Sequence, residues 1–214
     1  MGNQEKYVII CSGDLMHTDV SEIIRDAVVI CADGGINRAE MMGIQADVLI
    51  GDGDSMTHIE HVKYKTFIEL PTEKDMSDTA ACISYAAEQG CKEIHLLCCT
   101  GGRMDHMLSN IYLLESLYNL GIQGYIHDDF NEITVIGSGR YYLDKSDKYK
   151  YLSLIALDSV ATGVTLEGLK YPLTDAVLTR TDPSFGVSNE IITDRCSITI
   201  GSGRCVLIRS RDRV

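Results

Sequence analysis

The sequence predicts an α/β protein in which a doubly wound parallel-sheet domain is followed by an all-β sandwich domain. Three observations carry this. Up to about residue 127, short apolar runs alternate with helical patterns. Strand–helix alternation with near-continuous apolar strands implies a parallel sheet covered on both faces. From about residue 132 the helical patterns stop, and short alternating runs follow, joined by turns rich in Gly, Asp, Asn and Ser. That pattern is the one expected of antiparallel strands in a sandwich.

In chain order, the predicted strands of the first half are Tyr7–Cys11, Ala27–Cys31, Asp47–Ile50, Thr66–Leu70, Glu93–Cys99 and Gly124–His127. Between them lie helices ended by Gly at the expected stop: Ile36–Met42 before Gly43, Thr79–Gln89 before Gly90 and Asp105–Leu120 before Gly121. In the last, Leu108, Ile111, Tyr112, Leu114 and Tyr118 fall close to one helical stripe, the expected core face. The second half reads as strands Glu132–Ile136, Arg140–Leu143, Tyr151–Leu157, Ala176–Leu178, Ser197–Ile200 and Cys205–Arg209, with no helix. The polar stretch His127–Glu132 marks the boundary, giving domains 1–130 and 131–214. Ile133–Arg140 echoes Ile198–Arg204, and the echo reads as two hairpins sharing one turn chemistry.

Composition narrows the class. The chain has 214 residues, 45% of them hydrophobic, with a net charge of −12. Nucleic acid is excluded as the main partner, because phosphate-backbone binding needs clustered Lys and Arg. The acid is concentrated in the first domain: residues 1–130 hold 8 Lys+Arg against 21 Asp+Glu, whereas 131–214 hold 11 against 10. The eight cysteines show no Cys-x-x-Cys or Cys/His ligand spacing, and Cys98 and Cys99 sit together in an apolar run. They read as buried small hydrophobes in a reducing cytosol rather than as disulfides or a zinc site. No signal peptide or membrane span is read, so the expected setting is cytoplasmic with no membrane partner.

The most informative segment is Ala46–Ser55. The run Val48–Ile50 ends in Gly51-Asp52-Gly53-Asp54, two carboxylates one residue apart at a strand's carboxyl end. Open α/β sheets bind ligands at that edge. Two carboxylates about 4 Å apart repel by roughly 4 kcal/mol at an effective dielectric near 20, so a cation belongs between them. A hard, oxygen-seeking metal such as Mg²⁺ fits best. Three further polar clusters also follow predicted strands: Ala32-Asp33-Gly34-Gly35, Pro71–Asp78 and Thr100–His106. In a parallel sheet these loops meet at one edge, and four loops sharing acidic, Gly-rich and cationic chemistry form a site.

Chemistry suggests roles. Asp52, Asp54 and Asp78 supply carboxylates for Mg²⁺. Asp78 opens a helix, with Ser77 or Asp75 as the candidate N-cap. Lys74 and Arg103 are cations that can reach a polyphosphate, Arg with a planar fork. Asp33 can accept from a ribose or base, or simply close a turn. His106, beside Asp105, reads as making a structural hydrogen bond. The chain has no Walker loop, dinucleotide fingerprint, nucleophile elbow or His-Glu-x-x-His motif, so metal and cations must hold any phosphate.

Together these loops resemble the thiamine pyrophosphokinase family. The match runs through Ala32–Gly35, Asp47–Ser55, Pro71 with Glu73–Asp75 and Ser77-Asp78, Gly101–His106 with Asn110, and then Gly168–Leu173 and Ser188–Glu190. The resemblance implies an α/β domain followed by a β-sandwich, assembled as a homodimer. The implied reaction moves the diphosphate of ATP to the hydroxyl of thiamine, giving thiamine diphosphate and AMP. By the same resemblance Asp52, Asp54 and Asp78 hold Mg²⁺ and act with Arg103 in catalysis. Asp33, Gly34, Lys74, Asp75, Ser77, Arg103, Asp105, His106 and Asn110 surround the nucleotide, and Tyr171, Ser188 and Asn189 meet thiamine. Gly53 stands where relatives carry a bulkier residue, and Tyr171 where many carry Trp. Two other readings of the same residues stand beside this one: a Mg²⁺-dependent phosphohydrolase, and a non-catalytic nucleotide or thiamine binder.

Overall fold

The computed structural model describes residues 5–53, 63–71 and 75–213; Asp54 and Lys74 lie outside them. The chain forms two compact units, Met1–Asp129 and Phe130–Val214.

The first unit is built on parallel strands β1 (Lys6–Ile10), β2 (Val28–Ala32), β3 (Val48–Gly51), β4 (Thr66–Glu69), β5 (Glu93–Leu97) and β6 (Gln123–His127). Their order is β4-β3-β2-β1-β5-β6. The chain steps outward from β1 to β4, then returns through a helix to place β5 on the other side of β1. Strand order therefore reverses at β1/β5, where such sheets open a crevice at the carboxyl edge. The register puts Ile9 between Ile30 and Leu96, all fully buried. Among the described residues, four helices accompany the strands: α1 (Ser21–Ile24), α2 (Gly35–Met41), α3 (Asp78–Glu88) and α4 (Met104–Asn119). Alternation along β1 assigns α2 and α3 to opposite faces: Ile10 packs in the cluster holding Ile36 and Ala39 of α2, while Cys11 meets Thr79 of α3. Both faces are covered, as a doubly wound sheet requires.

Two expectations for this unit are corrected. The apolar run Glu93–Cys99 does not stay extended to its end: β5 stops at Leu97, and Cys98 turns into the left-handed region at φ 53°. Hydrophobicity marks burial, and here a buried turn continues the buried strand. On α4 the core face is Asn110, Leu114 and Leu117, whereas Leu108 and Tyr112 are half exposed. Leu108 lies two residues before Asn110, about 200° around the helix, so of the predicted stripe Leu114 joins the core while Leu108 and Tyr112 face outward.

The second unit has β7 (Asn131–Ile136), β8 (Gly139–Asp144), β9 (Tyr151–Ala156), β10 (Val160–Glu167), β11 (Leu173–Thr179), β12 (Arg195–Ile200) and β13 (Cys205–Ser210). They form antiparallel groups β7-β13-β9 and β11-β10-β12-β8. Leu152, Leu154 and Leu207 of the first group share one core with Val164, Leu166 and Ile198 of the second. This is a β-sandwich. The repeated turn is not a pair of hairpins, however. β7 pairs with β13 and β8 with β12, so Gly137-Ser138 and Gly201–Arg204 each carry the chain from one sheet to the other. Strand β10 was absent from the expectation because Thr162-Gly163 breaks its alternation; the register shifts there, between Ala161 and Val164.

Candidate active site at the sheet's carboxyl edge

A cavity of about 460 Å³ opens at the carboxyl edge of the first unit's sheet. Each wall comes from the end of a strand or the start of a helix. Cys11 to Asp14 follow β1, Ala32 and Asp33 follow β2, and Cys99 and Gly101 to Arg103 follow β5. Ser77, Asp78 and Thr79 begin α3, His106 and Asn110 come from α4, and Arg38 reaches in from α2.

Main-chain contacts fix the loops tightly. Gly13 N donates to Cys98 O at 2.7 Å and Asp14 N to Thr100 O at 3.0 Å, so the β1 loop runs along the β5 loop. A Cβ on Gly13 would stand 2.5 Å from Thr100 O, and one on Gly35 would stand 2.0 Å from Ile10 O. Only glycine permits either approach. Asn110, buried at 8% exposure, donates from Nδ2 to Cys99 O at 2.9 Å and holds the β5 loop from behind. Two non-glycine residues of this rim, Asp33 (φ 43°) and Cys98 (φ 53°), adopt left-handed backbone. Such conformations cost on the order of 1 kcal/mol each and gather where packing around a site enforces them.

Asp33, Ser77, Asp78, Arg103, His106 and Asn110 line the cavity. Asp33 Oδ1 is buried, accepts no hydrogen bond among the described residues, and lies against Gly51, where a Cβ would stand 2.8 Å from it. Ser77 is the N-cap of α3, its hydroxyl accepting from Ala80 N at 3.3 Å. Between Ser77 and Asp75 the structure thus selects Ser77; Asp75 is exposed. Gly34 is buried at the start of α2. Asp105 is exposed and grips Arg103, which donates from Nε to Oδ1 at 3.1 Å and from Nη2 to Oδ2 at 2.5 Å. Those bonds hold the Asp105 carboxyl at about 2, below its usual 3.8. Asp105 is therefore placed to orient Arg103. It also accepts from His106 N at 2.9 Å.

Asp52 follows β3 at the same edge and is half-buried. With Asp78 it offers oxygen donors of the kind a hard divalent cation takes. No three His, Cys, Asp or Glu among the described residues form a metal-binding group, and the third carboxylate, Asp54, lies outside them, as does Lys74.

Sequence reasoning missed Ser12–Asp14, Thr79 and Arg38. The first had a legible signal: Ser-Gly-Asp directly follows an apolar run, as at the other loops. Arg38 had none, because its approach depends on how α2 packs. The cavity's thiols are not nucleophiles. Burial pushes Cys11 up to about 12 and Cys99 well above its usual value, so both stay protonated at neutral pH. All eight cysteines are free and buried.

In the second unit, Asn189 is buried at 6% exposure and ties down the loop carrying Tyr171. Its Oδ1 accepts from Tyr171 N at 2.9 Å and its Nδ2 donates to Tyr171 O at 2.7 Å. Tyr171 is 59% exposed, with the Lys170 ammonium 5.7 Å from its ring centroid; Lys170 also pairs with Glu190 at 2.8 Å. Ser188 is exposed at φ 57°, its N–H donating to Ser153 Oγ.

Residues 21–126 match the family model for the thiamin pyrophosphokinase catalytic domain, and residues 140–205 match that for its vitamin B1 binding domain. A thiamine pyrophosphokinase of Bacillus subtilis (strain 168) is 29% identical over 186 residues, spanning 83% of this chain and 86% of that protein. A crystal structure of the Bacillus subtilis enzyme superposes with a TM-score of 0.87 at 27% identity, covering 97% of this chain and 100% of that one. That of thiamin pyrophosphokinase from Geobacillus thermodenitrificans gives 0.82 at 28% identity, covering 97% and 98%. The catalytic-domain match overlies the sheet whose edge forms the cavity, and the chain belongs to the thiamine pyrophosphokinase family, ATP-dependent diphosphotransferases that make thiamine diphosphate.

Proposed function

We propose that this chain binds ATP with Mg²⁺ in the carboxyl-edge cavity and transfers its diphosphate to the hydroxyl of thiamine, releasing AMP. The observation that carries this is the cavity at the β1/β5 switch point, where carboxylates Asp33 and Asp78 face arginine chemistry in a unit matching the catalytic domain. Asp52, Asp54 and Asp78 would hold Mg²⁺, which would offset the negative charge of the polyphosphate.

The protein's own groups supply position and field. Asp33, on the cavity wall, accepts through its carboxylate from a hydroxyl or amino group of the nucleoside. Arg103, oriented by Asp105, stabilises the equatorial oxygens of the transferring group. The thiamine hydroxyl oxygen attacks the β-phosphorus in line, the bond from that phosphorus to the α,β-bridging oxygen breaks so that AMP leaves, and the hydroxyl proton passes to a cavity carboxylate. In a loose transition state this needs alignment more than a strong base. Gly34, Lys74, Asp75, His106 and Asn110 complete the nucleotide's surroundings, and Asn110 contributes by holding the β5 loop.

Thiamine is taken by the second unit. Tyr171 stacks on the cationic vitamin, Ser188 offers its exposed hydroxyl, and Asn189 acts by pinning the Tyr171 loop. The chain works as a homodimer in a reducing cytosol, the setting in which eight buried free thiols persist.

The test is incubation with Mg²⁺-ATP, with and without thiamine, resolving AMP from inorganic phosphate. AMP that appears only when thiamine and Mg²⁺ are both present is the expected result. Phosphate released without thiamine would indicate hydrolysis, and binding of both ligands without AMP would indicate a sensor.

A further inference from the structure

We infer that Arg38 is the cavity's principal phosphate-holding cation and grips the polyphosphate of the nucleotide. This deepens the proposed function and rests on its placement of ATP in the cavity.

Two arginines line the cavity, and their circumstances differ. Arg103 is exposed and already engaged by both oxygens of Asp105. Arg38 is half-buried, and no carboxylate among the described residues pairs with it. Asp14 is one residue from the carbonyl that Arg38 contacts, yet it forms no ion pair with the guanidinium. A partly desolvated cation without a neighbouring carboxylate is costly unless a ligand supplies the counter-charge. Asp14, Asp33 and Asp78 also line the cavity, so a polyphosphate entering it needs a cation among them, and Arg38 is one that no carboxylate among the described residues engages.

Position strengthens the assignment. Arg38 Nε donates to Gly13 O at 2.7 Å. Gly13 is itself fixed against Cys98 O, at the end of β1 where strand order reverses. The side chain is thereby anchored through one nitrogen. Among the described residues, the hydrogen bond recorded from its terminal nitrogens is from Nη1 to Met41 Sδ at 3.8 Å, a weak acceptor. A guanidinium held at Nε and open at its terminal nitrogens suits bidentate contact with phosphate oxygens. A role confined to stapling α2 to the β1 loop would use the Nε bond alone and leave the charge without purpose.

The experiment measures equilibrium binding of ATP and of adenosine, both with Mg²⁺, to wild type, R38Q and R38K. R38Q is expected to weaken ATP by about 10–100-fold, the loss of a charge-assisted contact, while adenosine binding holds within about twofold. R38K, which keeps the charge and loses the fork, is expected to fall between the two. Equal ATP affinity in R38Q and wild type would overturn the inference, as would equal weakening of ATP and adenosine, the mark of a staple. Should R38Q fail to fold, R38K carries the same comparison: ATP weakened with adenosine retained supports the inference, and both unchanged or both weakened overturns it. The two readings fail separately. Wild-type protein that binds ATP through Arg38 but forms no AMP with thiamine would sink the diphosphotransferase reading alone.

Discussion

Asp78 joins structure to chemistry at a single position. As the first residue of α3, next to the Ser77 cap, it favours the helix's positive end; as a cavity wall, it offers oxygens to a cation. These roles separate by magnitude. A carboxylate in the first turn is worth about 0.3–1 kcal/mol, and a protein of this size loses about 2–4 °C of Tm per kcal/mol. Asp78→Asn is therefore expected to shift Tm by only a few degrees while lowering kcat by roughly 100-fold or more, read by thermal melting and AMP release. A large fall in Tm with kcat retained would make Asp78 a structural residue. Residues of this kind were legible in the sequence because carboxylates after apolar runs mark a sheet's carboxyl edge. Arg38 and Asn189 were not legible in the same way. The function of Arg38 depends on a helix packing its side chain under Gly13. Asn189 spends its amide on the Tyr171 main chain, a pairing across 18 residues that no local pattern announces.

Among elements, the close crossing of α2 over β1 shapes the cavity. Gly35 lets the first turn of α2 lie against Ile10 O, which brings Asp33 and Arg38 to the rim. Gly35→Ala places a methyl 2.0 Å from that oxygen, and backbone cannot rotate away as a side chain can. Overpacking of this kind costs about 1–3 kcal/mol, so Tm is expected to fall measurably and ATP affinity to fall with it as α2 is displaced. An unchanged Tm and affinity would show that the crossing tolerates more than its geometry allows. Periodicity gave the strands of the parallel sheet to within a residue or two, the inner ones because buried strands are near-continuous apolar runs; the edge strand β4 is largely exposed. It failed where burial and secondary structure part company. Cys98 continues the hydrophobic run after the strand has turned, and Leu108 and Tyr112 are apolar on the outer side of α4. In the sandwich, the twin Gly-Ser turns carry hairpin chemistry but join different sheets, and partner choice is a tertiary fact.

At the scale of the whole molecule, the winding of the sheet explains why residues from 11 to 110 meet in one cavity. Parallel strands deliver their carboxyl ends to one edge, and reversal between β1 and β5 leaves a gap there. An acidic first unit accepts a polyphosphate only where cations stand among the carboxylates, and Arg38 and Arg103 stand on that cavity's wall. The most direct measurement is a crystal structure with Mg²⁺ and a non-hydrolysable ATP analogue. The account predicts the nucleotide in the β1/β5 crevice, with Asp33 accepting from the nucleoside, Asp78 at the metal and Arg38 on the phosphates. A nucleotide bound elsewhere on the chain, with those three side chains untouched, would contradict it.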